Sequence, residues 1–294
     1  MKKAVIHLVA ALSAAFALFS CSAIDLNVAP VFYGQTGNFS ESKAYIGSDY
    51  MVYWHESDLL SVFRSSTNER YAFDGATGDD YGTFTKNDET VTGTLYSCNY
   101  ALYPYNSSAA CASDGSLSFS IPATQTYALN SPDADANIMV AATSNVEDYE
   151  FRFRNACAYL MLKITGDVSI KQIVLSGNND EIISGDASAK IIYKNAPVIS
   201  MDPEGGKTIT LNCSPAVELS STPTQFWIAL PQTTFTGGFT ISVTTSSEGW
   251  FTKQTLKNIT FSRNSIQPMK TFNIAKSEID NQLELPVEEG ELEW

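Results

Sequence analysis

The chain has 294 residues, 44% of them hydrophobic, and a formal net charge of −14 from 32 acidic and 18 basic side chains. Nucleic-acid phosphates are held by Lys and Arg, so a balance this acidic argues against nucleic acid as a partner. The apolar fraction argues against a disordered chain and predicts a folded one, long enough for one or two domains.

Lys2 and Lys3 precede an uncharged, mostly apolar run from Ala4 to Phe19. That run is shorter than the roughly 20 apolar residues a membrane-spanning helix needs. A positive start, a short apolar core and a small residue before the cut describe a secretory signal over residues 1–20. Its end, Leu18-Phe19-Ser20-Cys21, resembles the lipobox of bacterial lipoproteins, in which the cysteine becomes the first residue and carries acyl chains. Phe19 is bulkier than that motif usually has, and an ordinary signal peptide with an incidental cysteine is the alternative. Cys21 is thus the expected lipidation site, with the exported chain anchored to a membrane by lipid. Loss of Lys2 and Lys3 with the signal takes the charge from −14 to −16.

Beyond the signal the pattern is that of strands. Ile24, Leu26 and Val28 alternate with polar residues, and Tyr50 to Trp54 and Leu59 to Phe63 read as further strands. Later runs alternate in the same way: Phe151 and Phe153; Ile209, Leu211 and Cys213; Phe226, Ile228 and Leu230; Phe239, Ile241 and Val243; Ile259 and Phe261. Alternation gives a strand one apolar face. Asp74-Gly75, Asp114-Gly115, Gly177-Asn178, Asp202-Pro203, Gly205-Gly206 and Gly237-Gly238 mark turns between them. No long stretch has helical period, so the fold class predicted is all-β, built of antiparallel β-sandwiches. A polar, turn-rich stretch from Ala141 to Glu150 separates two strand-rich halves. The C-terminus alternates again at Leu283, Leu285 and Val287, and at Leu292 and Trp294, and one reading of both terminal runs is a pair of edge strands packed on their own domains.

Catalytic chemistry finds little support. After export only His55 remains for a Ser–His–Asp or Cys–His mechanism, and its position beside Trp54 reads as a surface histidine at a strand end. No Cys-x-x-Cys pair offers zinc and no Gly-rich loop opens a helix for phosphate. Paired carboxylates carry no information among 32 acids. Asn178-Asn179-Asp180-Glu181 has oxygen ligands for calcium without the spacing of a dedicated loop, and reads instead as a hairpin turn. No cofactor or metal is expected. Cys98 and Cys111 are placed on a hairpin of Tyr96–Tyr105 with Leu117–Ile121, too far apart to bridge. Cys157 and Cys213 fall in alternating runs as buried thiols. Trp54 reads as a core anchor, Tyr103-Pro104-Tyr105 as a strand end, and Phe226 to Pro231 as a buried strand closed by proline.

An ordered set of segments resembles the fimbrillin family, the type V pilus subunits of Bacteroidales. They are Tyr50-Met51-Val52-Tyr53-Trp54 with Ser57 to Phe63, Tyr103-Pro104-Tyr105, Ile121-Pro122-Ala123-Thr124-Gln125, Phe151 to Leu160, Ile170 to Gly185, Phe226 to Pro231, and Arg263 to Met269. The family usually has Gly-Asp where this chain has Ser57-Asp58, a departure that bears on a turn. The resemblance implies two β-sandwich domains of transthyretin-like topology and no enzyme activity. It implies a signal at 1–20, a lipidated leader with a displaceable strand at 21–43, domains at 44–145 and 146–276, and a tail at 277–294 able to donate a strand. It also implies maturation by a protease specific for Arg or Lys, after which a neighbour's C-terminal strand fills the vacated groove. Lys43 is the first basic residue after Cys21 and the expected cleavage site; Arg64, the next, follows a strand whose loss would damage the domain. Leu283, Leu285 and Val287 are the expected donor face, with Pro286 removing one ladder donor. The partners implied are other pilus subunits and a host or bacterial surface receptor, at the outer membrane and then on a cell-surface pilus. A surface glycan-binding lipoprotein and a secreted hydrolase on a β scaffold remain the alternatives.

Overall fold

Thr, Tyr, Phe, Val and Ile fit a pleated, half-buried surface, and the segments rich in them form the strands here. The computed structural model describes residues 29–36, 45–46, 52–86 and 93–279. Cys21, Lys43, Leu283, Leu285 and Val287 lie outside the described residues. Helix among those described is confined to two short 3-10 turns, Ala134–Ala136 and Lys276–Glu278, so the chain is all-β.

The N-terminal half builds an eight-stranded sheet. Its order is Glu150–Arg152, Phe32–Gln35, Tyr81–Thr85, Glu69–Asp74, Leu59–Phe63, Tyr100–Tyr103, Met139–Ala142 and Arg154–Asn155. The first and last of these are separated in sequence by Phe153 alone. Glu150–Arg152 runs parallel to Phe32–Gln35, and Arg154–Asn155 pairs antiparallel with Met139–Val140. One extended segment, residues 150–155, thus pairs with both ends of the sheet, which turns back on itself and covers edges that would otherwise be open. Four strands of the C-terminal half, joined by Thr124–Thr126, build a five-stranded sheet centred on Ser169–Gly177, and a four-stranded one has Ala158–Gly166 paired with Thr224–Leu230. One strand from each half, Ser116–Ile121 and Gly185–Lys190, pair as the centre of another four-stranded sheet.

Alternation sorts side chains into three apolar layers. Leu60, Val62, Ala101, Tyr103, Met139 and Ala141 face a first core with Phe32 and Trp54. The opposite faces of the same strands send Phe63, Tyr100, Leu102, Val140 and Ala142 into a second core, which also takes Tyr159, Met161, Trp227 and Ala229. Leu160, Leu162, Ile164, Phe226, Ile228 and Leu230 turn away into a third. Ala158–Gly166 and Thr224–Leu230 therefore bury both faces, which is why Phe226 to Leu230 is apolar without a break. Trp54 is a core anchor with no exposed surface.

A buried polar knot ties the halves together. The Tyr159 hydroxyl donates to Asn137 Oδ1, and Asn155 Nδ2 donates to the Tyr159 oxygen. Asn155 Oδ1 accepts from the Cys157 N–H at 2.7 Å, and the Asn155 carbonyl accepts from Arg263 at 2.6 Å. Gln125, also fully buried, acts as a surrogate strand. Its amide donates to the Ala229 carbonyl at 2.6 Å and accepts from the Ala229 N–H at 3.0 Å.

Two local expectations are corrected. Tyr100–Tyr103 and Ser116–Ile121 do not form a hairpin. The first pairs with Leu59–Phe63 and Met139–Ala142, and the second with Ala110–Cys111 and Gly185–Lys190. The segment 178–181 is not a hairpin turn either, because it leaves Ser169–Gly177 in one sheet and leads to Gly185–Lys190 in another. Asn178 anchors it by donating to the Gly237 and Thr255 carbonyls at 2.6 and 2.8 Å. Glu181 accepts from the Thr236 N–H at 2.8 Å, and Asp180 pairs with Lys207. Gly238 is required at this junction: its φ is +75°, and a Cβ there would lie 1.9 Å from the Thr255 carbonyl oxygen.

Candidate functional site

Phe32–Gln35 is the feature that stands apart. It is a four-residue strand, yet it is paired on both sides, antiparallel to Tyr81–Thr85 and parallel to Glu150–Arg152. Its inward residue is Phe32, which has no exposed surface. The ring stacks on Phe151 at 4.7 Å and meets Tyr71 and Tyr149 edge-on at 5.3 and 5.6 Å. Such geometries add to the burial of aromatic area. Gly34 follows on the same face, where a Cβ would lie 2.5 Å from the Phe84 ring. The Gly34 carbonyl accepts from Trp54 Nε1 at 3.2 Å. Thr36 closes the strand by donating from its N–H to Asp80 at 2.9 Å and from its hydroxyl to Val52 at 3.0 Å.

The outward face is different. Val31 and Tyr33 are more than two-fifths exposed, and Tyr33 stacks on exposed Tyr81 at 6.1 Å. Taking this strand away would leave a groove lined by Tyr71, Phe84, Tyr149 and Phe151, with two rows of unpaired backbone groups. A replacement strand would satisfy both requirements.

The strand lies inside the 21–43 segment named as displaceable, although the alternating residues singled out there, Ile24, Leu26 and Val28, lie outside the described residues. Clean alternation misses Phe32–Gln35, because Tyr33 faces outward and Gly34 carries no side chain. The available signal is a β-prone Val31-Phe32-Tyr33 run bounded by Pro30 and Gly37. Arg64 has 1% of its surface exposed, and its Nε donates to Asn99 Oδ1 at 3.4 Å. A protease reading basic side chains finds no access to it in the folded chain.

The remaining chemistry-bearing residues are engaged structurally. His55 is exposed, with Nδ1 2.8 Å from Ser57 Oγ. Asp58 does not orient the imidazole: its carboxylate accepts from the His55 backbone N–H at 2.7 Å and from the Tyr103 hydroxyl at 2.9 Å. Burial raises the Asp58 carboxyl above its ordinary range, against those hydrogen bonds. The Ser–His pair therefore sits in a turn without the third group a nucleophilic mechanism uses. Cys98, Cys111, Cys157 and Cys213 are free thiols. Burial pushes Cys111, Cys157 and Cys213 up to about 12, which keeps them protonated and unreactive at neutral pH.

No family model and no curated protein matches the chain in sequence. Solved structures do match it in fold. One, described as a putative cell adhesion protein from Bacteroides uniformis, is 15% identical with a TM-score of 0.50, over 88% of this chain and 96% of its own. Another of the same description, from Bacteroides ovatus, is 12% identical with a TM-score of 0.50, over 86% and 95%. A fimbrial protein from Bacteroides ovatus aligns over 85% of this chain and 51% of its own at 11% identity, but its TM-score of 0.37 is too low to bear on the argument. At these identities the two better matches establish a shared fold.

Proposed function

We propose that this chain is a structural subunit of a bacterial surface pilus, exported as a lipoprotein and assembled by strand exchange in support of adhesion. One observation carries the reading: a short strand within the first 43 residues fills an aromatic-lined groove and pairs with the strand on each side of it, Tyr81–Thr85 and Glu150–Arg152. The fold shared with cell adhesion proteins of Bacteroides and the ordered fimbrillin-like segments support it.

In this reading Cys21 holds the precursor to the outer membrane. Cleavage after Lys43 frees the segment containing Phe32–Gln35, and the Leu283, Leu285 and Val287 face of a neighbour's tail replaces it. The Phe84 ring must swing aside wherever an incoming side chain takes the place of Gly34. The subunit partners are other copies or related pilus subunits, and the mature location is the cell surface. No step requires catalysis by this chain. Two sandwich domains of transthyretin-like topology, 44–145 and 146–276, belong to the same proposal. The sheet pairing of 150–155 with the first half marks the stretch from 146 to 155 as the place where limited proteolysis tests the boundary.

The direct cellular test is electron microscopy of cells with and without the gene. Thin surface fibres are expected only when the protein is present, and a fibre-bearing deletion strain would refute the role. Cys21→Ala tests the anchor: a fatty-acid label is expected on the parent chain and absent from the variant. Label retained by the variant would place the lipid elsewhere.

A further inference from the structure

Residues 150–155 expose a second feature, on the outward side of the strand that borders the groove. In an extended segment, positions two apart share a face. Phe151 and Phe153 point into the first core, so Arg152 and Arg154 share the opposite side. Both line a cleft of about 530 Å³, together with Gln35, Asp80, Tyr193 and Lys194. Lys194 Nζ lies 5.0 Å from the centre of the Tyr193 ring, which holds the ammonium at the cleft. Arg152, Arg154 and Lys194 outnumber Asp80 and the Glu150 carboxylate paired with Arg152, so the cleft keeps a positive charge in a chain of net charge −14. Like charges gathered against the sign of the whole molecule attract an anion.

We infer that this cleft binds a saccharide bearing a carboxylate. Its volume matches a ligand of a few sugar rings and greatly exceeds a phosphate ion. The Arg pair suits a planar carboxylate, because guanidinium groups present a fork of donors to it. Arg152 already holds one: its Nη2 lies 3.1 Å from Glu150 in an exposed pair that a ligand is free to replace. Asp80 disfavours a multiply charged phosphate, while its oxygens and the Gln35 amide suit sugar hydroxyls. Tyr193 and half-exposed Ile192 supply apolar surface for the C–H face of a ring.

Isothermal titration of the intact chain, in mild detergent at low salt, tests the inference. The probes are trigalacturonate, its methyl-esterified form, sialyllactose, lactose, inorganic phosphate and a peptide of residues 280–294. Saturable binding is expected for an acidic saccharide, with its neutral counterpart weaker by about tenfold or more. Arg152→Gln with Lys194→Gln is expected to weaken binding by about tenfold at an unchanged melting temperature. Arg152→Lys should recover part of the loss. Equal binding of acidic and neutral saccharides, or binding unmoved by the double substitution, would overturn the inference. So would phosphate binding as tightly as the saccharides, or the acidic peptide alone saturating the cleft. These residues are titrated in the uncleaved chain, so the outcome is separate from that of strand exchange.

Discussion

At the scale of single residues, the chain uses its polar and sulfur side chains to brace layers of strands. Gln125 supplies both hydrogen bonds that Ala229 lacks from a neighbouring strand. Gln125→Ala orphans two buried backbone groups, each costing about 1–3 kcal/mol. Urea denaturation is the readout, and a variant as stable as the parent would show that other groups satisfy Ala229. The thiols make a second prediction. Cys111, Cys157 and Cys213 rise from 9.0 to about 12 through burial, so folding favours their protonated form. Their stabilising contribution is fully present below about pH 9 and is lost as pH climbs towards about 12. Stability should therefore fall between about pH 9 and 12, and replacing Cys157 by Ala should flatten part of that decline. At about pH 8, iodoacetamide should label half-buried Cys98 before the other three, and simultaneous labelling of all four would contradict their burial.

At the scale of elements, the Phe32–Gln35 strand is stabilised chiefly by one buried ring and its backbone pairs. Phe32→Ala should cost about 3–5 kcal/mol in the intact chain, as for other fully buried phenylalanines. Tyr33→Ser, on the exposed face, should change stability by about 0.5 kcal/mol or less. Equal effects from the two would show that the strand does not face the core as described. Strand existence was legible where alternation is clean: Thr208–Glu218, Thr224–Leu230 and Phe239–Thr245 fall on runs evident in the sequence. Partners were not legible, because a period of two says which side of a strand is apolar and nothing about what it meets. That is why Tyr100–Tyr103 and Ser116–Ile121 suggest a hairpin yet belong to different sheets. It is also why Asn178 to Glu181 suggests a hairpin turn and proves to be a crossing. The cationic cleft had a signal, the Phe-Arg-Phe-Arg alternation, whose phenylalanines announce a core strand while its arginines share the other side.

At the scale of the whole molecule, three apolar cores, separated by strands that face two of them, take in residues from Phe32 to Ile274. Strands buried on both faces couple the halves, and the knot of Asn137, Asn155, Tyr159 and Arg263 fixes them. Against that frame, a short strand near the N-terminus fills a gap in an otherwise self-closing sheet, and Arg64 is shielded. The most direct test cuts the purified intact chain with trypsin under native conditions and follows its size by light scattering and electron microscopy. Strand exchange predicts cleavage after Lys43, loss of the segment containing Phe32–Gln35, and growth of polymers that Leu285→Asp prevents. A chain that loses that segment and remains monomeric, or polymerises regardless of Leu285→Asp, would contradict assembly by strand exchange.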